Sequence, residues 1–226
     1  MIEKIIKLLI SHKPTILVLL GDVKHTVSGI EFSEWHDVPD FFEKISKFVP
    51  DIKIIPGNHD GNLEALVPRT VKITSPKGEI LLDDIGVFHG HAWPSVELLK
   101  CKHLIMGHLH PVINLRDDFG FRTTRQVWIK AECSIRKLAH SLGKIVSSKS
   151  REFLNSFLSK DSFSEFIIFP SFNGLLGGQP VNINKQPDKE NVYFGPILRS
   201  RSIEMDKADV YMLDGTFLGK IGDLKI

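Results

Sequence analysis

The chain has 226 residues, 42% hydrophobic and 25% charged, which excludes disordered and collagen-like polymers. At ~150 residues per domain it is long enough for one large domain with its own core. Lys+Arg 29 against Asp+Glu 27 leaves a net charge of +2, too even to mark a nucleic-acid or membrane-surface binder by itself. No apolar run approaches the ~18 residues of a membrane span, and Glu3, Lys4 and Lys7 interrupt the apolar start, so neither membrane attachment nor a signal peptide is expected. Cys101 and Cys133 lie far apart with no CxxC pairing, which fits a cytoplasmic protein.

Ile2, Ile5, Ile6, Leu9 and Ile10 recur at helical spacing until Pro14 stops the helix. Thr15 to Leu20 is an apolar run ending in Gly21-Asp22, the pattern of a strand buried on both faces. A second helix is expected over Asp40 to Val49 with Pro39 near its first turn, followed by a buried strand at Ile52 to Ile55. Helix and strand in alternation argue for a parallel sheet with crossover connections. Val71 to Thr74 and Glu79 to Leu82 flank Ser75-Pro76-Lys77-Gly78, which predicts a hairpin. Short strands follow at Ile85 to Phe88 and Leu104 to Met106. Val112 to Arg116 and Arg122 to Lys130 form a hairpin across Asp118-Phe119-Gly120. The stretch from about 134 to 163 is rich in Lys, Ser and helix formers and reads as a basic helical insertion exposed at the surface. Glu165 to Phe169 returns to strand, Pro170 to Gly178 is a glycine-rich loop, and Ala208 to Leu213 with Thr216 to Ile221 is a second hairpin around Asp214-Gly215. Residues 1–226 thus read as a single α/β domain.

Four polar clusters each directly follow an apolar strand: Gly21-Asp22, Gly57-Asn58-His59-Asp60, His89-Gly90-His91 and Gly107-His108-Leu109-His110. Carboxyl ends of strands are where α/β sheets form ligand crevices, so these side chains can converge. Asp and Asn oxygens mixed with His nitrogens suit Mn, Fe, Co or Zn, whereas an all-oxygen set would suit Mg or Ca. Taken singly, Asp22 could cap a helix, Asn58 could hold a turn, and any one histidine could be a satisfied, partly buried residue. Their order along the chain is what makes a site of them.

In that order they resemble the calcineurin-like metallophosphoesterases, whose pattern is D-x-H, GD, GNH[DE], a GH-type histidine and GHxH. Gly21-Asp22-Val23-Lys24-His25, the late Pro170-Ser171-Phe172-Asn173 and Leu176-Gly177-Gly178 look like the archaeal branch related to SbcD-type repair nucleases. The resemblance implies a four-layer α-β-β-α sandwich of two mixed sheets and hydrolysis of a phosphoester, a nucleic acid or nucleotide among the candidate substrates. It implies a divalent metal, most readily Mn, with two ions in the family. Asp22 would bridge both, Asn58, His89 and His108 would complete one site, and His110 would belong to the other. His59 would give a proton to the leaving oxygen, with Asp60 orienting it. Lys24 and His25 would touch substrate phosphate, and His91 would support the ligands or meet the substrate.

D-x-H, which ends the family's first strand, does not precede Asp22. The chain opens at Met1-Ile2-Glu3-Lys4 inside what would be the first crossover helix, so the expectation is an N-terminally incomplete domain without that strand. Glu34-Trp35-His36 has suitable ligand types but lies after Asp22 and reads as a solvated helix start. With two ligands absent, a one-metal enzyme or an impaired protein acting as an interaction scaffold is the alternative. The presence of His59, for which a scaffold has no use, speaks against the scaffold. Arg116, Arg122, Arg125 and Lys130 share one hairpin and could meet an anion, as solvated edge strands also carry such charges. Arg136 to Arg151 lacks interleaved aromatics and reads as a solvated helix face.

Overall fold

A computed structural model of the protein describes residues 1–159, 161–183 and 195–226. The first third builds a small parallel sheet. Helix α1 (Ile2–His12) ends at Lys13, whose left-handed backbone (φ 46°) lets its amide bond the Leu9 carbonyl just before Pro14. Strands β1 (Ile16–Leu19), β2 (Asp51–Ile54) and β3 (Lys72–Ile73) pair in the order β1-β2-β3, all parallel. Helix α2 (Glu34–Ile45) connects β1 to β2 and buries Val38, Phe42 and Ile45 against Leu9, Ile52 and Ile54 in one apolar cluster.

Helix α2 begins six residues before the expected start and holds Pro39 in its interior, not in its first turn. The hydrophobic pattern begins only at Val38, but the helix nucleates earlier, where the Ser33 carbonyl accepts the His36 and Asp37 amides and the Glu34 carboxylate accepts the Glu31 amide. Strand β1 is also less enclosed than its composition implied. Ile16 is exposed and Leu17 to Leu20 are half-buried, because β1 pairs only with β2 and its other edge lines a cavity.

Among the remaining described residues the strands form a nine-stranded mixed sheet. Along it run β10 (Gln179–Pro180), β7 (Pro111–Arg116), β8 (Arg122–Ser134), β9 (Phe163–Ile168), β6 (His103–Met106), β5 (Ile85–Phe88) and β4 (Glu79–Leu81). Strand β11 (Asp209–Met212) pairs with β8, and β12 (Phe217–Lys220) pairs with β11. At its centre β5, β6 and β9 are mutually parallel. A short helix, α5 (Pro196–Arg199), buries Ile197 and Leu198 in the core of this sheet.

The expected hairpin over 71–82 does not form. Its first half, β3, joins β2 in the small sheet, and its second half, β4, pairs antiparallel with β5 in the large one. The intervening turn does form, with the Gly78 amide on the Ser75 carbonyl, but it passes the chain between sheets. Apolar neighbours on two different surfaces outweighed local pairing. A Lys53–Glu79 ion pair of 2.6 Å then ties β2 to β4.

Helices α3 (Ile135–Gly143) and α4 (Ser148–Leu158) occupy the stretch read as a basic surface insertion, whose Lys160 lies outside the described residues. They are amphipathic and not appended: Ile135, Leu138, Leu142 and Leu154 are buried with Phe88, Leu104 and Phe166 in the main core. Only their outer faces carry the charge. The described residues thus form a mixed α/β fold with one parallel sheet, one mixed sheet and five helices. Among the described residues no helix is long and apolar enough to cross a membrane.

Candidate metal centre

Asp22, the Asn58–Asp60 loop, His89 and His108 emerge from the carboxyl ends of β1, β2, β5 and β6. Strands within each sheet are parallel there, so these ends share an edge, and the His89 ring bridges the two sheets by donating Nδ1–H to the Leu20 carbonyl (2.5 Å). Asp22, His108 and His110 all have positive φ, of 53°, 57° and 48°. For residues with a Cβ this backbone costs of order 1–3 kcal/mol each and persists only where surrounding structure imposes it. Three such residues in one place mark a site held against its local preference. Two glycines make the approach feasible. A Cβ at Gly57 would lie 2.1 Å from Asp22 Oδ1, and one at Gly21 would lie 2.5 Å from the Gly57 nitrogen.

Asp22, His89 and His108 each present a ligand atom within 4.8 Å of the others. His89 Nε2 stands 3.4 Å from Asp22 Oδ2 and 3.1 Å from His108 Nδ1. Since Nδ1–H of the buried His89 ring is committed to Leu20, Nε2 is the ring nitrogen left facing the Asp22 carboxylate and the His108 ring. Nitrogen and oxygen facing one another at that distance call for a proton or a metal cation between them. Burial raises the Asp22 pKa, but the His89 hydrogen bond and charge and the His59 amide outweigh it and leave the value at about 2. Burial, reinforced by His89, lowers His108 to about 4. His110 is lowered by burial against the pull of Asp22, and His91 by burial together with His89. An ionised carboxylate beside neutral imidazoles is the protonation that metal binding requires. Asn58 Oδ1 is buried with no hydrogen-bond partner among the described residues, as is Nδ1 of His91, whose ring centroid lies 5.3 Å from that of His89. The donor set therefore fits a divalent metal: a cluster of Asp22, His89 and His108 could hold one, and the orphaned Asn58 oxygen belongs to the loop whose His59 amide binds Asp22.

The polar residues around this cluster take roles that differ from the sequence expectation. Asp60 does not orient the His59 ring. Its Oδ1 accepts the Val23 amide (2.8 Å) and the Lys24 amide (3.3 Å), and its Oδ2 accepts the Gly57 amide (2.8 Å), so it staples the loop after β1 to the loop after β2. The His59 ring is held instead by Nδ1–H donating to the His25 carbonyl, while the His59 amide donates to Asp22 Oδ1 (3.1 Å). Lys24 does not reach for substrate. It is 3% exposed, and its ammonium donates to the carbonyls of Thr26 and Gly29 (2.8 Å to the latter). Glu34 is not a solvated helix start but is 6% exposed, accepting the amides of His25, Thr26 and Glu31. Burial raises its pKa, and those three amides with the Lys24 charge reverse this and leave it at about 2. His25 itself stays exposed.

His110 stands outside the triad but lines the same cavity, of about 530 Å³, with Asp22, His89 and His108 at one end and apolar residues of α1 and β1 along its wall. The glycine-rich loop closes on it, for the Gln179 amide donates to the His110 carbonyl and a Cβ at Gly178 would lie 2.2 Å from that oxygen. A larger cavity, of about 830 Å³, is lined by ion pairs such as Lys130–Glu165 and Lys220–Asp209 and holds none of the predicted site residues. Sequence reasoning missed Glu34 as the clamp of the Asp22 loop. It also missed Gly195, where a Cβ would lie 2.3 Å from the Gly90 carbonyl and 3.8 Å from the His108 ring. An acidic residue in a first helical turn is an ordinary helix-start signal, and nothing in its spacing points back to Thr26. No family model, curated protein or solved structure matches the chain.

Proposed function

We propose that the chain is a metal-dependent phosphoester hydrolase of the calcineurin-like metallophosphoesterase kind, in the SbcD-related branch. The observation that carries this reading is the Asp22–His89–His108 triad at converging strand ends, with His89 oriented by a carbonyl as metal-bound histidines commonly are. Asn58, with its unpartnered buried oxygen, would complete that site, and Asp22 with His110 would serve a second position. Mixed oxygen and nitrogen donors favour Mn, Fe, Zn or Co. When bound, such a cation supplies Lewis acidity toward a phosphoryl oxygen and lowers the pKa of water.

The chain's own residues supply the rest. Because His59 Nδ1–H is held by the His25 carbonyl, Nε2 is the basic nitrogen, able to carry the proton that a leaving oxygen takes up. The His59 amide fixes the Asp22 carboxylate, so the proton carrier and the acidic ligand move together. The exposed His25 and the half-buried His91 are the side chains assigned to substrate phosphate. In the same proposal α1 and α2 flank the small sheet and α3 and α4 the large one as outer layers of an α-β-β-α sandwich.

The test is Mn²⁺ binding by equilibrium dialysis beside hydrolysis of an aryl phosphodiester. Asp22→Ala and His108→Ala should lose both. His59→Ala should keep its metal and turn over ~10²–10⁴-fold more slowly. Wild-type hydrolysis in both ligand variants would overturn the reading. Metal binding with no hydrolysis by the parent chain would favour a scaffold over an enzyme.

A further inference from the structure

We propose that the β7–β8 hairpin is a binding arm for single-stranded nucleic acid, an inference that does not rest on the phosphoester reading above. Strand β7 starts at Pro111, immediately after His110, so the arm is rooted at the site. Its root is buried through Val112, Ile113, Val127 and Ile129. Beyond that, every residue from Leu115 to Arg125 is exposed except the half-buried Gly120, and the pairing Ile113↔Arg125, Leu115↔Thr123 and Arg116↔Arg122 carries the ladder out to the tip. Six strand steps lead from His110 to Arg116, which at ~3.4 Å per residue carries Arg116 roughly 20 Å along the strand from His110.

The tip is a built structure. Asp117 Oδ1 accepts the amides of both Phe119 and Phe121, its carbonyl accepts the Gly120 amide, and its own amide donates to the Phe121 carbonyl. Gly120 has φ 88°, and a side chain there would meet the Arg116 guanidinium. This turn holds two phenyl rings outward, with Phe119 89% and Phe121 73% exposed. One exposed phenylalanine is ordinary. Two on a rigid turn are not, above all when flanked by Arg116, Arg122 and Arg125, none of which has a carboxylate at ion-pair distance among the described residues. Of the two acids here Asp117 is turned onto backbone amides, leaving Asp118 alone against three guanidinium groups.

Cations that follow a phosphate chain, interleaved with flat apolar faces on which unstacked bases sit, are the chemistry of single-strand recognition. A duplex hides its base faces and would use the arginines without the rings. The charge complementarity points to a polyanion, and the rings select one with free aromatic faces.

The experiment measures binding of a labelled oligothymidylate of about 15 nucleotides by fluorescence anisotropy, with the full chain in EDTA so that hydrolysis plays no part. Phe119→Ala and Phe121→Ala should each weaken binding about tenfold. Arg116→Ala and Arg122→Ala should each flatten the slope of log affinity against log salt by about 0.7. All four should hydrolyse the small aryl phosphodiester at the parent rate. Equal binding by the phenylalanine variants, or a duplex bound as tightly as the single strand, would overturn the arm. So would a chain that ignores the oligonucleotide and self-associates through these rings in sedimentation, the mark of a protein-binding tip. Intact binding with no hydrolysis of the aryl phosphodiester would instead sink the phosphoester reading and leave the arm standing.

Discussion

The two halves of the candidate metal centre are held by different forces. On the large sheet, His89 and His108 follow β5 and β6, whose Val87, Phe88, Leu104 and Met106 are buried in the main core, so close packing positions the rings. On the small sheet, Asp22 sits in a long loop leaving an edge strand, and little apolar packing reaches it. There a polar frame does the positioning: Asp60 joins the two loops, Glu34 gathers three amides, and Lys24 ties Thr26 to Gly29. A packed ligand resists small perturbations. A framed ligand depends on each member, because a buried amide that loses its acceptor carries the full desolvation cost.

The largest effect should come from His89→Ala, which removes a candidate ligand and a buried ring and leaves the Leu20 carbonyl without its donor. The expected loss is about 2–4 kcal/mol of stability, a fall in Tm of roughly 5–10 °C by calorimetry, with metal binding abolished. Retained metal would show that the packed half is not what organises the site.

Next is Asp60→Ala, which touches no ligand yet orphans the amides of Val23, Lys24 and Gly57. Metal affinity should drop about 10- to 100-fold, as when an outer partner of a metal ligand is lost. Amide hydrogen exchange should quicken across residues 22–26 while β5 and β6 keep the parent rates. Uniform acceleration through both sheets would erase the distinction between framed and packed halves.

The smallest effect is the one that acid removes. Glu34 has a folded pKa of about 2 against an ordinary 4.5, so between those values the folded chain holds fewer protons there than the unfolded one. Its stabilisation is full above about pH 4.5 and is lost as pH falls toward about 2. Glu34→Gln should therefore lower stability near neutral pH and converge with the parent as the solution is acidified, read from urea midpoints across that range. A constant difference at every pH would show that the carboxylate charge contributes nothing to the loop.

The ligand candidates were legible because each follows a short apolar strand and carries an unmistakable donor type. Asp22, His89 and His108 needed only the rule that parallel strands end on one edge. The supporting residues were not. Asp60 beside His59 suggested a carboxylate–imidazole pair, but its oxygens meet amides 36 and 37 residues away, which local sequence does not encode. Lys24 next to Asp22 suggested a phosphate contact, and only the folded loop decides that its ammonium turns inward.

By itself the amino-acid sequence determined the alternation of helices and strands, the chain order of the donors and two hairpins, read at 112–130 and 208–221 and found at 111–134 and 209–220, since these depend on periodicity and turn residues within a few positions. Tertiary structure alone decided that β3 and β4 part company into two sheets, that α3 and α4 bury their inner faces, and that two exposed phenylalanines stand at the tip of the β7–β8 hairpin beside arginines that meet no carboxylate among the described residues. Those outcomes rest on which distant surfaces compete for the same apolar side chains and buried amides, and that competition exists only once the chain has folded.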